Sequence, residues 1–263
     1  MRATILGTGG YHPNEGRHTS CIMLPELGII FDAGTSFFRV ADRLKTRELF
    51  LFLTHAHLDH IVGLTFFLVP MFSGKVSRVL VQSAPEYLDA VQTHLLSPLV
   101  FPIIPPGFVF EPLAEKVAVP GGGVLTHCRL NHPGGSIGYR VDWPPDSQTT
   151  GNSRTTASFQ TSGKSLAYIT DTIADASYVD FIRGVDVLIH ECNFSDDSIE
   201  LARETGHCHL SAVVRAARDA AVKRLILTHF DPELPLDEPL DLAAARAIFP
   251  ATELAREKME FDF

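Results

Sequence analysis

The chain has 263 residues, 45% of them hydrophobic and 20% charged, with a formal net charge of −9. That is an ordinary composition for a globular enzyme with a large core, and the acidic balance argues against a broadly basic nucleic-acid-binding surface. The four cysteines form no CxxC pair, which excludes a disulfide framework and fits buried thiols in a cytoplasmic protein.

The N-terminus runs straight into a strand-like segment, Thr4-Ile5-Leu6, followed by Gly7-Thr8-Gly9-Gly10, with no secretory pattern before it. Thr8-Gly9-Gly10 lacks the GxGxxG spacing of a dinucleotide loop. Further strands are expected at Cys21–Leu24, Ile29–Phe31 and Leu49–Leu53, the last ending at Thr54-His55. The apolar patch from Ile61 to Phe72 is too short for a membrane span and carries Gly63 and Pro70. Next come a strand at Arg78–Gln82 and a helix at Ser83–Leu96 with a proline start. Pro102–Gly107 reads as a loop. Strands at Ile137–Val141, Ser165–Thr170, Val185–Ile189 and Arg224–Leu227 follow, and the polar stretch Trp143–Gly163 reads as a surface excursion. Helices are expected at Ser211–Val222, with Ala212, Val213, Ala216, Ala217 and Ala220 on one side, and at Leu240–Phe249, stopped by Pro250. The mixture predicts a layered α/β fold. No repeat or linker is visible, so residues 1–263 read as one domain.

Histidine carries the chemistry. Of twelve, three fall within His55-Ala56-His57-Leu58-Asp59-His60, directly after an apolar strand. Four metal-type side chains in six positions are costly to pack without an ion. Imidazole and carboxylate together suit zinc, and also manganese or iron. So tight a segment more easily divides its ligands between two neighbouring ions, which then need ligands from elsewhere. His132, Asp171 and His229 each stand where a strand ends, and the two oxygens of Asp171 suit it to bridging.

The chain resembles the metallo-β-lactamase superfamily of hydrolases over nearly its whole length. The HxHxDH segment carries the likeness, with Leu6-Gly7-Thr8-Gly9, Phe31-Asp32-Ala33-Gly34 and Thr228-His229-Phe230. It is most similar to the ribonuclease Z-like branch, through the run from His132 to Arg140, Thr170-Asp171-Thr172, His190-Glu191 and Gly206-His207. The resemblance implies a four-layer αβ/βα sandwich with two metal ions at one edge. It implies His55, His57 and His132 on the first ion, Asp59, His60 and His229 on the second, and Asp171 between them. Asp32 would hold a ligand histidine by hydrogen bond.

Two close cations favour hydrolysis: they lower the pKa of a shared water, hold the hydroxide and neutralise charge on the reacting group. Asp59 is placed to orient that nucleophile or take its proton. The leaving alkoxide needs a proton. The resemblance assigns this to a histidine after the His-Glu motif, which His207 matches, 22 residues before His229. Glu191 would fix its tautomer and raise its pKa. His209 is the rival, because Cys208-His209 departs from the small hydroxyl residues usual in the branch. His190 reads as structural. His12, His18, His94 and His127 read as solvated, helix-terminal or packing residues.

The resulting expectation is a metal-dependent phosphodiesterase acting on a small or cyclic phosphodiester or a nucleic-acid end, with Arg140 within reach of a phosphate. Transfer-RNA 3′ processing is the runner-up. Enzymes of that kind carry a long basic arm between the third histidine and the bridging aspartate. Here that interval, His132 to Asp171, is 39 positions, and its positive charges are mainly Arg140, Arg154 and Lys164. The same fold would also suit a thioester or lactone hydrolase, or a non-catalytic metal-binding protein. A homodimer through the apolar stretch Leu64–Phe72 is a further expectation.

Overall fold

The computed structural model describes residues 1–145 and 163–263. Most of the stretch expected as a polar excursion after Trp143, including Arg154, lies outside the described residues.

Six strands come first: β1 (Arg2–Gly7), β2 (Cys21–Leu24), β3 (Ile29–Phe31), β4 (Glu48–Phe52), β5 (Arg78–Ser83) and β6 (Phe108–Pro112). Seven follow: β7 (Val117–Val119), β8 (Gly123–Leu130), β9 (Ser136–Trp143), β10 (Lys164–Ile169), β11 (Val187–Glu191), β12 (Leu225–Thr228) and β13 (Thr252–Leu254). The last strand, β14 (Met259–Asp262), returns to the first group. Among the described residues these form two sheets, ordered β14-β1-β2-β3-β4-β5-β6 and β13-β12-β11-β10-β9-β8-β7. Each is antiparallel on one side and parallel on the other, through β3 to β6 and β10 to β13.

Period-two alternation sorts the side chains between layers. Ile5, Ile22, Leu24, Ile29, Phe31 and Phe52 point between the sheets and meet Ile137, Tyr139, Val141, Tyr168 and Ile169. Their neighbours Leu6, Cys21, Met23, Ile30, Leu49, Leu51 and Leu53 point outward. They pack under the 3₁₀ segment Thr35–Asp42 and the helical stretch from Pro85 to Leu95, through Phe37, Val40, Leu88 and Val91. Tyr139 fastens the layers: its hydroxyl donates across the core to the Leu53 carbonyl at 2.6 Å. Layers of helix, sheet, sheet and helix are the expected sandwich.

The helices are short: α1 (Leu58–Ile61), α2 (Leu68–Phe72), α3 (Pro85–Ala90), α4 (Ile199–Thr205), α5 (Leu210–Asp219) and α6 (Leu242–Ile248). None of the described helices is long and apolar enough to cross a membrane. The helix expected over Ser83–Leu96 begins later and changes pitch. Ser83 closes β5 and donates to the Leu53 carbonyl, Ala84 is the N-cap, and a π-helical turn at Val91–Leu95 keeps Val91 and Leu95 buried. On α5 the buried residues are Leu210, Val213, Val214 and Ala217, so the inward face is rotated from the alanine-based expectation. Leu64 and Phe67 of the apolar stretch belong to the core, whereas Phe66, Val69 and Phe72 remain on the surface. The four cysteines are free thiols.

The topology converges several chain reversals on one edge. The segments after β4, β8, β10 and β12, and the end of β11, all deliver polar residues there. In open α/β sheets the carboxyl ends of strands are where such residues can gather without breaking the core.

Candidate metal centre

Two groups of side chains at this edge could each hold a metal ion: His55, His57, His132 and Asp171, and Asp59, His60, Asp171 and His229. In each, the potential ligand atoms lie within 4.8 Å of one another, and Asp171 belongs to both. Its Oδ2 faces His55 at 3.7 Å and His132 at 3.9 Å; its Oδ1 faces His229 at 3.2 Å and His60 at 3.4 Å. One carboxylate thus turns an oxygen to each side. All seven residues that the sequence offered as ligands come together here.

The donor set fits cations, and the outward-facing nitrogens show why. Thr54 donates its single hydroxyl proton to Asp32 and therefore accepts from His55 Nδ1–H, 3.0 Å away. That fixes the tautomer and leaves the His55 Nε2 lone pair bare. Nε2 is buried and has no hydrogen-bond partner, an arrangement that is costly unless something electrophilic sits beside it. His60 Nδ1 lies 2.8 Å from Asp32 Oδ2, and His132 Nδ1 donates to the Gly206 carbonyl at 2.8 Å. In each case the partner takes the outer N–H and turns the inner nitrogen on the cluster. Asp32, fully buried, also accepts from the Thr54 amide and the Tyr168 hydroxyl. It sits where the resemblance put it, behind the ligands.

Electrostatics agree with a site built for positive charge. Burial, then His60, push His55 well below the ordinary histidine range, so it offers a neutral lone pair. Burial opposes ionisation of Asp171, but His229 and His60 hold it well below the usual carboxylate range. Asp59 is likewise held down against burial, chiefly by His60 and His229.

A third group, Glu191, His207 and His229, adjoins the second. Glu191 is fully buried at the end of β11, not an exposed acid. Its carboxylate accepts from the amides of Thr172, Cys208 and Asn193 and lies 3.3 Å from His207 Nδ1. The His207 ring stacks 5.5 Å from His229 and lies 5.1 Å from His132. Burial disfavours its charged form, yet Glu191, by charge and hydrogen bond, outweighs this and raises its pKa to about 9. His209 is turned elsewhere: it caps α5 and bonds Asp196 at 2.6 Å. His190 is buried and structural, its Nε2 2.9 Å from the Tyr178 hydroxyl.

Arg140 corrects an expectation. Its guanidinium donates to Asp142 and to the carbonyls of Phe181 and Arg183. The alternation of β9 sends it to the face opposite Tyr139, away from any phosphate at this edge.

Sequence reasoning missed several supports. Thr54 and Tyr168 orient Asp32. Asn193 places its amide 3.3 Å from His229 Nδ1; with its oxygen turned there it accepts that proton and frees Nε2. A Cβ at Gly10 would come within 2.6 Å of the His229 ring, and one at Gly206 within 2.1 Å of Pro133. Gly206 also has φ of 79°, as the left-handed cap of α4. The signals were present as Asn193, two residues after Glu191, as Gly206 beside His207 and as Gly10 in the run Thr8-Gly9-Gly10, but nothing in the sequence says which backbones must touch.

A family model described as a β-lactamase superfamily domain matches residues 28–230. A ribonuclease Z from Cyanothece is 30% identical to the chain, the match covering all of the chain and 95% of that relative. It runs over 316 positions against 263 residues, so at least 53 positions are gaps in this chain. Among solved structures, the metallo-β-lactamase fold protein YhfI from Bacillus subtilis superposes with a TM-score of 0.75 at 18% identity, covering 99% of this chain and 98% of its own. The short form of human tRNase Z superposes at 0.70 and 20% identity, covering 100% and 99%. At such identities the two structures speak for the fold.

Proposed function

The chain belongs to the β-lactamase superfamily, as a ribonuclease Z-like metal-dependent hydrolase, and from that premise we propose that it is a dinuclear zinc phosphodiesterase acting on small or cyclic phosphodiesters or nucleic-acid ends. The observation that carries the reading is the sharing of Asp171 between two ligand groups beside an imidazole seated on Glu191. We read residues 1–263 as one catalytic unit, since one core draws on both sheets.

His55, His57, His132 and Asp171 would hold one ion, and Asp59, His60, Asp171 and His229 the other. Bound there, the ions would supply Lewis-acid charge and a nucleophile at neutral pH. The protein's own groups do the rest. Asp59 is oriented by the Tyr11 amide, which donates to its Oδ2 at 2.9 Å, so the carboxylate is fixed to position the attacking water or take its proton. His207 holds a proton beside the cluster and is the acid that delivers it to the departing oxygen. Glu191 keeps that imidazole in the tautomer whose Nε2–H faces the site.

Transfer-RNA 3′ processing is the second reading, supported by a ribonuclease Z relative that matches over 95% of its length. The short interval between His132 and Asp171 and the gaps in that alignment weigh against a large RNA, whose grip depends on many phosphate contacts. The test is turnover by zinc-loaded protein of bis-p-nitrophenyl phosphate, a thioester, a lactone and a precursor tRNA. Cleavage of the diester above all others supports the reading. No turnover of the diester overturns it.

A further inference from the structure

Tyr11 is the least expected residue near this centre. Its φ is 59°, the left-handed region that a bulky residue seldom enters and a glycine adopts freely. The conformation has a purpose, since it aims the Tyr11 amide at Asp59 Oδ2, 2.9 Å away. Any residue supplies that amide, and glycine would supply it without strain. The backbone therefore does not explain the tyrosine, and the side chain is not explained by packing either: Tyr11 is 78% exposed, while its neighbour Gly10 is packed against the ring of His229. The exposed ring thus stands on the residue that touches Asp59, and it makes an edge-to-face pair with His12 at 5.3 Å. A strained backbone kept together with an exposed aromatic ring at a site's margin is the pattern expected of a ligand contact.

We infer that Tyr11, supported by His12, is the specificity-determining platform on which a nucleobase of the phosphodiester substrate stacks. The inference rests on the phosphodiesterase reading above and names its substrate class: a nucleoside phosphodiester, its base separated from the scissile phosphate by the sugar and lying on the Tyr11 side of the cluster. A planar, exposed, hydroxyl-tipped ring gives sequence-tolerant affinity for any base, because every base offers a π face. It also supplies, next to the phosphate, holding surface that a chain without a long basic arm needs.

The experiment compares two diesters with the same leaving group on zinc-loaded protein: thymidine 5′-(p-nitrophenyl) phosphate and methyl p-nitrophenyl phosphate. The wild type should show the lower KM for the nucleoside ester. Tyr11→Gly, which keeps the amide and relieves the strain, should erase about tenfold of that KM preference, the size expected of one stacked base. Tyr11→Trp should restore it. A purely structural role would move both esters together, and an unchanged KM ratio in Tyr11→Gly overturns the proposal. If the wild type cleaves neither ester, the phosphodiesterase reading fails, and the platform is judged by calorimetry with thymidine monophosphate and inorganic phosphate. Loss in Tyr11→Gly of tighter binding to the nucleotide than to phosphate upholds the platform; equal binding in both proteins overturns it.

Discussion

His207 Nδ1 stands 3.3 Å from Oε1 of Glu191, a carboxylate with 0% exposure that three backbone amides also hold in place. A charge so fixed cannot turn away, so the imidazole is gripped at one nitrogen and presents the other to the metal cluster. His209, two residues on, is held by Asp196 instead.

This difference predicts unequal losses. His207→Ala should lower kcat about 10²- to 10⁴-fold, the usual worth of a general acid, while elemental analysis finds the metal content unchanged. His209→Ala should cost activity far less. A larger loss in the His209 variant would reassign the acid.

Glu191→Gln should bring the His207 pKa down from about 9, read by NMR titration of the metal-free protein. The sign for stability follows. An imidazole whose pKa is raised on folding stabilises fully below the ordinary value of 6.5, and that stability is lost as pH rises through about 9. Metal-free wild type should therefore lose melting temperature between those values, and Glu191→Gln should lose less. Parallel melting curves would show that Glu191 does not govern this proton.

Asp32→Asn should weaken metal binding about 10- to 100-fold, the range typical for partners behind a metal ligand, because His60 Nδ1 would lose its carboxylate acceptor. Competition against a chelator measures it. Undiminished affinity would remove Asp32 from the site.

Tyr139→Phe should destabilise the fold by about 0.5–1.5 kcal/mol, since it removes the buried hydrogen bond that joins the two sheets at the Leu53 carbonyl, which Ser83 still serves. Urea denaturation gives the value. Leu53 immediately precedes the Thr54-His55 turn, so the same variant should also loosen the first ligand group.

Strands with alternating apolar residues between turn signals were legible to within one or two residues at each end, as at Cys21–Leu24 and Ile29–Phe31. The edge strand Phe108–Pro112 was not, because it is half-exposed and proline-ended, and β7, β8, β13 and β14 were not among the expected strands either. The dense segment His55 to His60 announced itself, since no core tolerates it without a partner. What stayed hidden was contact between distant backbones. The Gly206 carbonyl on His132, the Tyr11 amide on Asp59 and the Phe181 and Arg183 carbonyls that hold Arg140 each depend on where distant segments meet. A strand residue's face follows from its register, and the register of β9 lies in its ladders with β8 and β10, which periodicity alone does not reveal.

The central claim is that Asp171 serves two ions at once, and its most direct test is metal stoichiometry of the wild type and of Asp171→Ala after dialysis against zinc. Two ions per wild-type chain are expected, with loss of both from a variant that remains folded by circular dichroism. A folded Asp171→Ala protein that still carries two zinc ions would contradict it.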